Sequence, residues 1–179
     1  TKQYQMSETQ SIDTMNKLID WLPGNIPDDD ANSIVHGDFR LDNMVLHADK
    51  PEVLAVLDWE LSTLGHPLGD FTYHLMQWFM PSDGASTQTL EGVDFDALNI
   101  PDAAEYTRLY CEHTERDSIE NMDFYIAYNM FRLAGILQGI VGRVRDGTAS
   151  NEHAALMEDR VKPLSDVGWF YAQKAGAVD

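Results

Sequence analysis

Residues 34–60 read IVHGDFRLDNMVLHADKPEVLAVLDWE and set Asp38, Asp42, Asn43 and Asp58 around a tight polar loop between two strongly apolar runs. NMVLHADKPEVLAVLDW has the form of a hairpin, with HADKPE turning between MVL and VLAVL, and SIVHGD reads as a short buried strand entering the loop. Loops held by rigid strands are where chemistry tends to sit. Taken singly, each polar residue has an ordinary explanation, because Asp and Asn in turns hydrogen-bond their own backbone. Their order and spacing carry the information.

Outward from this span the helical period takes over. SETQSIDTMNKLIDWL opens with cap-type residues and brings Ile12, Met15, Ile19 and Leu22 to one face, which predicts an amphipathic helix ending before Pro23. PGNIPDDDANS is a turn-rich acidic connector. After the turn at LGHPLGD, the segment DFTYHLMQWFM is apolar almost all round and predicts a buried helix with Asp70 at its N-terminus. Residues 81–101 form a polar stretch with little pattern, expected to be a mobile flap. DAAEYTRLYCEHTER predicts a second helix, and NMDFYIAYNMFRLAGILQGIVGRVRDG a long one stopped by Gly147. From 151 to about 174 the tail reads as helical with a break at Pro163. The expected fold class is therefore α+β and mostly α-helical, a single domain over 1–179 in which a small β-hairpin carries the crowded loop.

Composition narrows the function classes. At 179 residues and 44% apolar content the chain can bury a proper core. Thirty acidic against 12 basic residues give a formal charge of −18, which argues against binding a nucleic-acid backbone. Cys111 is the single cysteine, so no internal disulfide can form and a reducing cytoplasm is the expected setting. No run approaches the roughly 18 apolar residues that span a bilayer, so no membrane partner is expected.

Phosphoryl transfer to a hydroxyl requires a carboxylate to accept or orient the hydroxyl proton, and oxygen ligands for the Mg²⁺ that neutralises the triphosphate. HGDFRLDN supplies the first from Asp38 and a ligand from Asn43, and the hairpin returns Asp58 at the end of VLAVLD as the second ligand. The order is that of a kinase catalytic loop, H-x-D, four residues and Asn, with a metal-binding Asp one hairpin later.

VHGDFRLDNM followed by VLDWELSTLGHPLGDFTYH resembles the aminoglycoside phosphotransferase and choline kinase superfamily, whose fold resembles that of protein kinases; here Trp, rather than Phe-Gly, follows the metal Asp. LDWELSTLGHPLGD and NMFRLAGILQGIVGRVRDGTA resemble the phosphotransferase-like domain of the acyl-CoA dehydrogenase 10 and 11 family and its free-standing bacterial relatives. The similarity covers essentially the whole chain. It implies Asp38 as catalytic base, Asn43 and Asp58 as Mg²⁺ ligands at the ATP site, His36 as a structural member of the loop, and Asp70 as a brace on the loop's backbone amides. Arg40 is read either as stabilising charge on the transferred phosphoryl group or as pairing with Asp42. Glu60 is open between metal-bound water and a surface charge. His66, Trp59 and Trp78 are read as packing or turn residues. Arg132, Arg143 and Arg145 could meet an anionic substrate or tie acidic helices together.

A complete kinase of this class also has a small N-terminal lobe with a nucleotide-covering loop, a strand lysine and a helix glutamate. None precedes the loop here. The expectation is a C-terminal lobe, inactive alone, from a protein roughly twice this length. The face that would pack on such a lobe is expected to be apolar and to promote a homodimer. The acceptor would be a small-molecule hydroxyl, a hydroxyacyl compound first and an aminoglycoside second. Two other classes stand beside this one. A catalytically silent kinase-like binding module would more commonly have lost one of Asp38, Asn43 and Asp58. A metal-dependent hydrolase would need a further ligand cluster, and His47, His74, His113 and His153 fall at no ligand spacing.

Overall fold

The core grows from three helices whose apolar faces meet. In the computed structural model, which describes residues 1–82, 89–148 and 157–178, helix α1 spans Lys2–Ser7 and helix α2 Asp13–Trp21. Strand β1 (Ser33–Val35), hairpin strands β2 (Met44–Leu46) and β3 (Val53–Val56), and strand β4 (Thr63–Gly65) follow. Helices α3 (Leu68–Leu75), α4 (Phe95–Leu98), α5 (Ala103–His113), α6 (Met122–Arg145) and α7 (Glu158–Lys174) complete the chain. Met15 and Leu18 from α2, Ile126 and Met130 from α6, and Val161 and Leu164 from α7 are almost wholly withdrawn from water. Each such side chain contributes about 1.5–3 kcal/mol of apolar burial. The class is α+β and mainly helical, as the sequence implies.

Local chemistry sets the helix ends. Asp102 caps α5 through Glu105 N–H at 2.8 Å, and Asp94 caps α4 through Ala97 N–H at 3.0 Å. Beyond α6, Gly147 turns the chain at φ 68°. Phe71 of α3 stacks on Tyr110 of α5 with ring centroids 3.9 Å apart, and Trp78 stacks on Tyr106 at 4.9 Å. This aromatic group seats α5 beside α3.

Several expectations need correction. The first helix is interrupted: α1 lies apart, and after α2 the chain continues as one 3-10 turn, Leu22–Gly24, which accommodates Pro23. Helix α3 begins at Leu68, so Asp70 is its third residue rather than its cap. Helix α4 lies within the stretch read as an unpatterned loop, of which residues 83–88 are outside the described residues. Pro163 does not break α7, which runs unbroken from Glu158; the expected helix over 151–156 is outside the described residues. Loss of one backbone bond at Pro163 is offset by burial of its neighbours and by Thr14, whose hydroxyl meets Ser165 at 2.7 Å and Asp166 at 2.9 Å.

The strand content also differs from a lone hairpin. β2 pairs with β3 antiparallel, Met44 opposite Val56 and Val45 opposite Ala55, with a bulge between Val45 and Leu46. A second two-stranded sheet joins β1 to β4, Val35 opposite Thr63 and Ile34 opposite Leu64. β1 is not a buried strand throughout: Val35 is buried, whereas Ile34 is 73% exposed and its partner Leu64 70%. Leu46, Val53, Leu54, Leu57 and Leu61 are exposed as well. The two small sheets thus present an apolar outer face.

α1 lies so close on α6 that Gly142 has no space for a side chain: a Cβ there would stand 2.6 Å from Ser7 Cβ. Gly135, on the same helix, has nothing within 4 Å of that position. Gly142→Ala is expected to destabilise by about 1–3 kcal/mol through overpacking, and Gly135→Ala to stabilise by up to about 1 kcal/mol through helix propensity, both read by denaturant unfolding.

Candidate active site

β1 ends where the loop begins, and the loop is held by one carboxylate. Asp70 of α3 accepts the backbone N–H groups of both His36 and Gly37, at 2.5 and 2.9 Å. Gly37 sits at φ +84°, and a Cβ there would lie 2.6 Å from the Leu61 carbonyl oxygen. Only glycine fits both the dihedral and the space. With Gly37 in this conformation two successive N–H groups turn toward one acceptor, and a charged one binds them most strongly.

His36 connects the two halves of the site. Its Nδ1 accepts the Asp38 N–H at 3.2 Å, which leaves the proton on Nε2, and Nε2 donates to the Leu57 carbonyl at 2.6 Å. The ring is buried, 4.7 Å from that of Trp59, whose indole N–H donates to Val56 O at 2.8 Å. One imidazole therefore touches the residue that becomes Asp38 and the residue that precedes Asp58. Leu57 N–H also donates to the Asn43 carbonyl at 2.8 Å. The end of the hairpin is fastened to both sides of the loop.

Asn43 is buried and reaches across the loop, its Nδ2 donating to the backbone oxygen of Asp38 at 2.9 Å and to Asp38 Oδ2 at 3.1 Å. Asp58 adopts the left-handed conformation, φ 60° and ψ 52°, with its side chain exposed. Asp tolerates that region better than most residues. Arg40 pairs with Asp42 at 2.8 Å, while its Nε is buried without a hydrogen-bond partner among the described residues. Glu60 is exposed in the 3-10 turn Trp59–Leu61. His66 Nδ1 accepts the Leu68 N–H at 3.3 Å, so its Nε2 donates to Asp29 Oδ2 at 2.8 Å; the ring also stacks on Tyr125 at 5.2 Å, tying the acidic connector to the body. Trp78 donates to the Pro101 carbonyl at 3.1 Å.

The donor set can be tested against Mg²⁺. With Nδ2 of Asn43 turned to Asp38, its Oδ1 is the atom left to face a cation, and Asp58 adds a carboxylate. One amide oxygen and one carboxylate, completed by water and phosphate oxygens, are the hard donors Mg²⁺ takes. Among the described residues no cluster of three or more His, Cys, Asp or Glu could hold a metal by itself, which is compatible with an ion shared with phosphates rather than caged by protein. The residues fit the ion.

Two cavities flank the loop. One, of about 760 Å³, has Gly37 and Arg132 on its wall with Leu18, Leu22, Val35 and Phe124. The other, of about 140 Å³, lies between Arg40, Asp42 and Tyr73. No helix among the described residues is long and apolar enough to cross a membrane.

The sequence profile of the phosphotransferase enzyme family matches residues 1–112. The chain belongs to this family. A crystal structure of a proposed aminoglycoside phosphotransferase from Ralstonia eutropha is 53% identical with a TM-score of 0.89, over 97% of this chain and 53% of that one. Mouse acyl-CoA dehydrogenase family member 10 is 43% identical over 98% of the chain, and human family member 11 is 40% identical over 94%. The chain spans only 16% and 22% of the lengths of these two curated relatives. The solved neighbour accords with the kinase-like fold.

Within this family member the structure brings together Asp38, Asn43, His36 and Asp70, and adds two residues that sequence reasoning missed or left undecided. Tyr73 is buried on α3; burial first, then the negative charge of Asp38, pushes its pKa upward. Arg132 donates to the Gly37 carbonyl and lies 4.6 Å over the Tyr73 ring. Arg145 is turned away toward Asp146 and the carbonyls of Glu8 and Met6. The i, i+3 spacing of Asp70 and Tyr73 was the readable signal, since it puts both on the same face of a helix.

Asp70→Asn replaces one accepting oxygen with an amide that faces an N–H, and is expected to cost about 1.5–3 kcal/mol in denaturant unfolding. His74 supplies a pH test. Burial holds its pKa below the ordinary 6.5, and its Nδ1 has no hydrogen-bond partner among the described residues. The unfolded ring takes a proton near 6.5 while the folded ring does not, so stability is full above that pH and falls as pH drops below it. Melting temperatures from about pH 7 down to pH 5.5 should decline in the wild type, and less steeply in His74→Phe.

Proposed function

We propose that the chain is the catalytic lobe of a small-molecule kinase that transfers the γ-phosphoryl group of ATP to an acceptor hydroxyl. The observation that carries this reading is the Asn43 amide spanning the loop to Asp38. With Nδ2 committed to Asp38, the Asn43 amide oxygen is the atom proposed to share a cation with Asp58, and the Asp38 carboxylate the one proposed to face the acceptor. Asp38 would accept or orient the acceptor's proton. When bound by Asn43 and Asp58, Mg²⁺ would neutralise charge on the triphosphate. Arg40, kept near the loop by Asp42, would offer its guanidinium to the transferred group.

The preferred acceptor is a hydroxyacyl compound, with an aminoglycoside second. The large cavity beside Gly37 has mostly apolar walls, which suit an acyl chain better than a polycation. The names of the acyl-CoA dehydrogenase relatives support the first choice, and that of the Ralstonia eutropha protein supports the second. The chain on its own is proposed to be inactive, to work in the cytoplasm, and to self-associate through the apolar face around Ile34 and Leu64.

The test is ATP consumption by the full-length natural protein with Mg²⁺ across hydroxyacyl-CoAs, aminoglycosides, choline and homoserine. Turnover is expected on the hydroxyacyl class, with Asp38→Asn lowering it by about 10²-fold or more. Absence of both turnover and Mg·ATP binding would favour the silent binding module instead.

A further inference from the structure

The smaller cavity beside the loop, of about 140 Å³, has one wall made by Arg40, Leu41 and Asp42, the stretch of chain that separates Asp38 from Asn43. Tyr73, Gln77 and Met80 line it as well, four and three residues apart, so one face of α3 and of the 3-10 turn Met76–Trp78 that continues it supplies a second wall. Its polar groups are not all satisfied. Asp42 takes the Arg40 guanidinium at Nη2, 2.8 Å away, yet Arg40 Nε is buried without a hydrogen-bond partner among the described residues. The Gln77 backbone carbonyl accepts the Leu90 N–H at 3.0 Å, whereas the Gln77 side-chain amide makes no hydrogen bond among the described residues. A buried donor left unpaired is costly, and two unused donor groups on one small cavity mark a place for an oxygen from outside the chain.

We propose that this cavity is a subsite for the acceptor, in which the Gln77 amide and Arg40 Nε hold a carbonyl or carboxylate oxygen a few bonds from the hydroxyl that is phosphorylated. The inference rests on the reading of the chain as a small-molecule kinase. A guanidinium N–H can only donate, so the group it meets must carry a lone pair, and an ammonium carries none. Pockets that enclose a whole small molecule run to about 300–1,000 Å³, so this one takes only part of the acceptor. Met76, Met80 and Leu133 make the rest of its lining apolar, which suits the short carbon link between the two oxygens. A guanidinium has five N–H donors, so Arg40 can serve the transferred phosphoryl group and the acceptor together. Gln77 is then a specificity residue, and its loss weakens the acceptor without weakening ATP.

The experiment measures kcat and the KM values for acceptor and ATP in the full-length natural protein, with melting temperatures alongside. The substrates are the best acceptor of the panel above and its analogue with a methylene in place of the neighbouring carbonyl or carboxylate. Gln77→Leu is expected to raise the acceptor KM about tenfold with the KM for ATP within about twofold. Gln77→Glu, which sets a carboxylate against the acceptor's oxygen, should raise it at least as much. The analogue should bind about tenfold more weakly than the acceptor in the wild type and about equally in Gln77→Leu, where the contact is already gone. A cavity that holds only water would give an acceptor KM within about twofold in Gln77→Leu and the same penalty for the analogue in both proteins. Either result, or a lower acceptor KM in Gln77→Glu, overturns the inference and leaves the kinase reading standing. Should Gln77→Leu fail to fold, Gln77→Glu and the analogue decide in its place. A wild type that turns over no acceptor overturns the kinase reading, and the inference falls with it.

Discussion

Two backbone N–H groups side by side, His36 and Gly37, need a single strong acceptor, and Asp70 is that acceptor. Remove the carboxylate and the left-handed turn at Gly37 has nothing to close on. Its position is set in turn by α3, which α6 fixes through Asn129, whose Nδ2 donates to Thr72 Oγ1 at 2.8 Å and to Gly69 O at 3.3 Å. The loop thus inherits its rigidity from the helical core rather than from the small sheets that flank it. A functional constellation built on rigid elements holds its geometry better than one built on loops alone.

Histidine and glycine do different work within this frame. His36 uses both ring nitrogens, accepting from Asp38 and donating to Leu57, so the loop and the hairpin's end cannot shift independently. That coupling brings Asp58 to the loop despite a left-handed backbone that disfavours it. The charge distribution follows the same economy. Arg108 and Arg145 are spent on carboxylates of their own helices or ends, Glu105, Glu112 and Asp146. Arg40 and Arg132 are the arginines held at the loop, against a surface that is otherwise strongly acidic.

The hairpin and its loop were legible because their signals are local: alternating apolar runs, a tight polar turn, and donors at short fixed spacing. The long helix α6 and the capped helix α5 were legible for the same reason. The pairing of β1 with β4 was not, because three-residue strands carry almost no pattern and LGHPLGD, which overlaps the end of β4, reads as a turn. Pro163 misled because burial of Val161, Leu164 and Ser165 outweighs a missing backbone bond. Arg132 stayed undecided because its contact with Gly37 spans 95 positions, and no periodicity reports such a distance. Tyr73 was hidden inside an apolar run, where a phenol reads as core. The brace from Asp70 came from family resemblance, since an Asp near a helix start is more simply read as a cap.

The separation between the loop and the residues that secure it sets an order of events during synthesis. Residues 34–60 leave the ribosome well before Arg132, which trails Gly37 by 95 positions. At roughly 5–20 residues per second that is a delay of about 5–20 s. Throughout that interval the loop has its strands but lacks α6, so the nascent chain can form the hairpin without forming the site. A ribosome stalled before α6 emerges would carry a polypeptide with the entire HGDFRLDN motif and Asp70, but without the helix that fixes α3 through Asn129 and donates to Gly37 through Arg132.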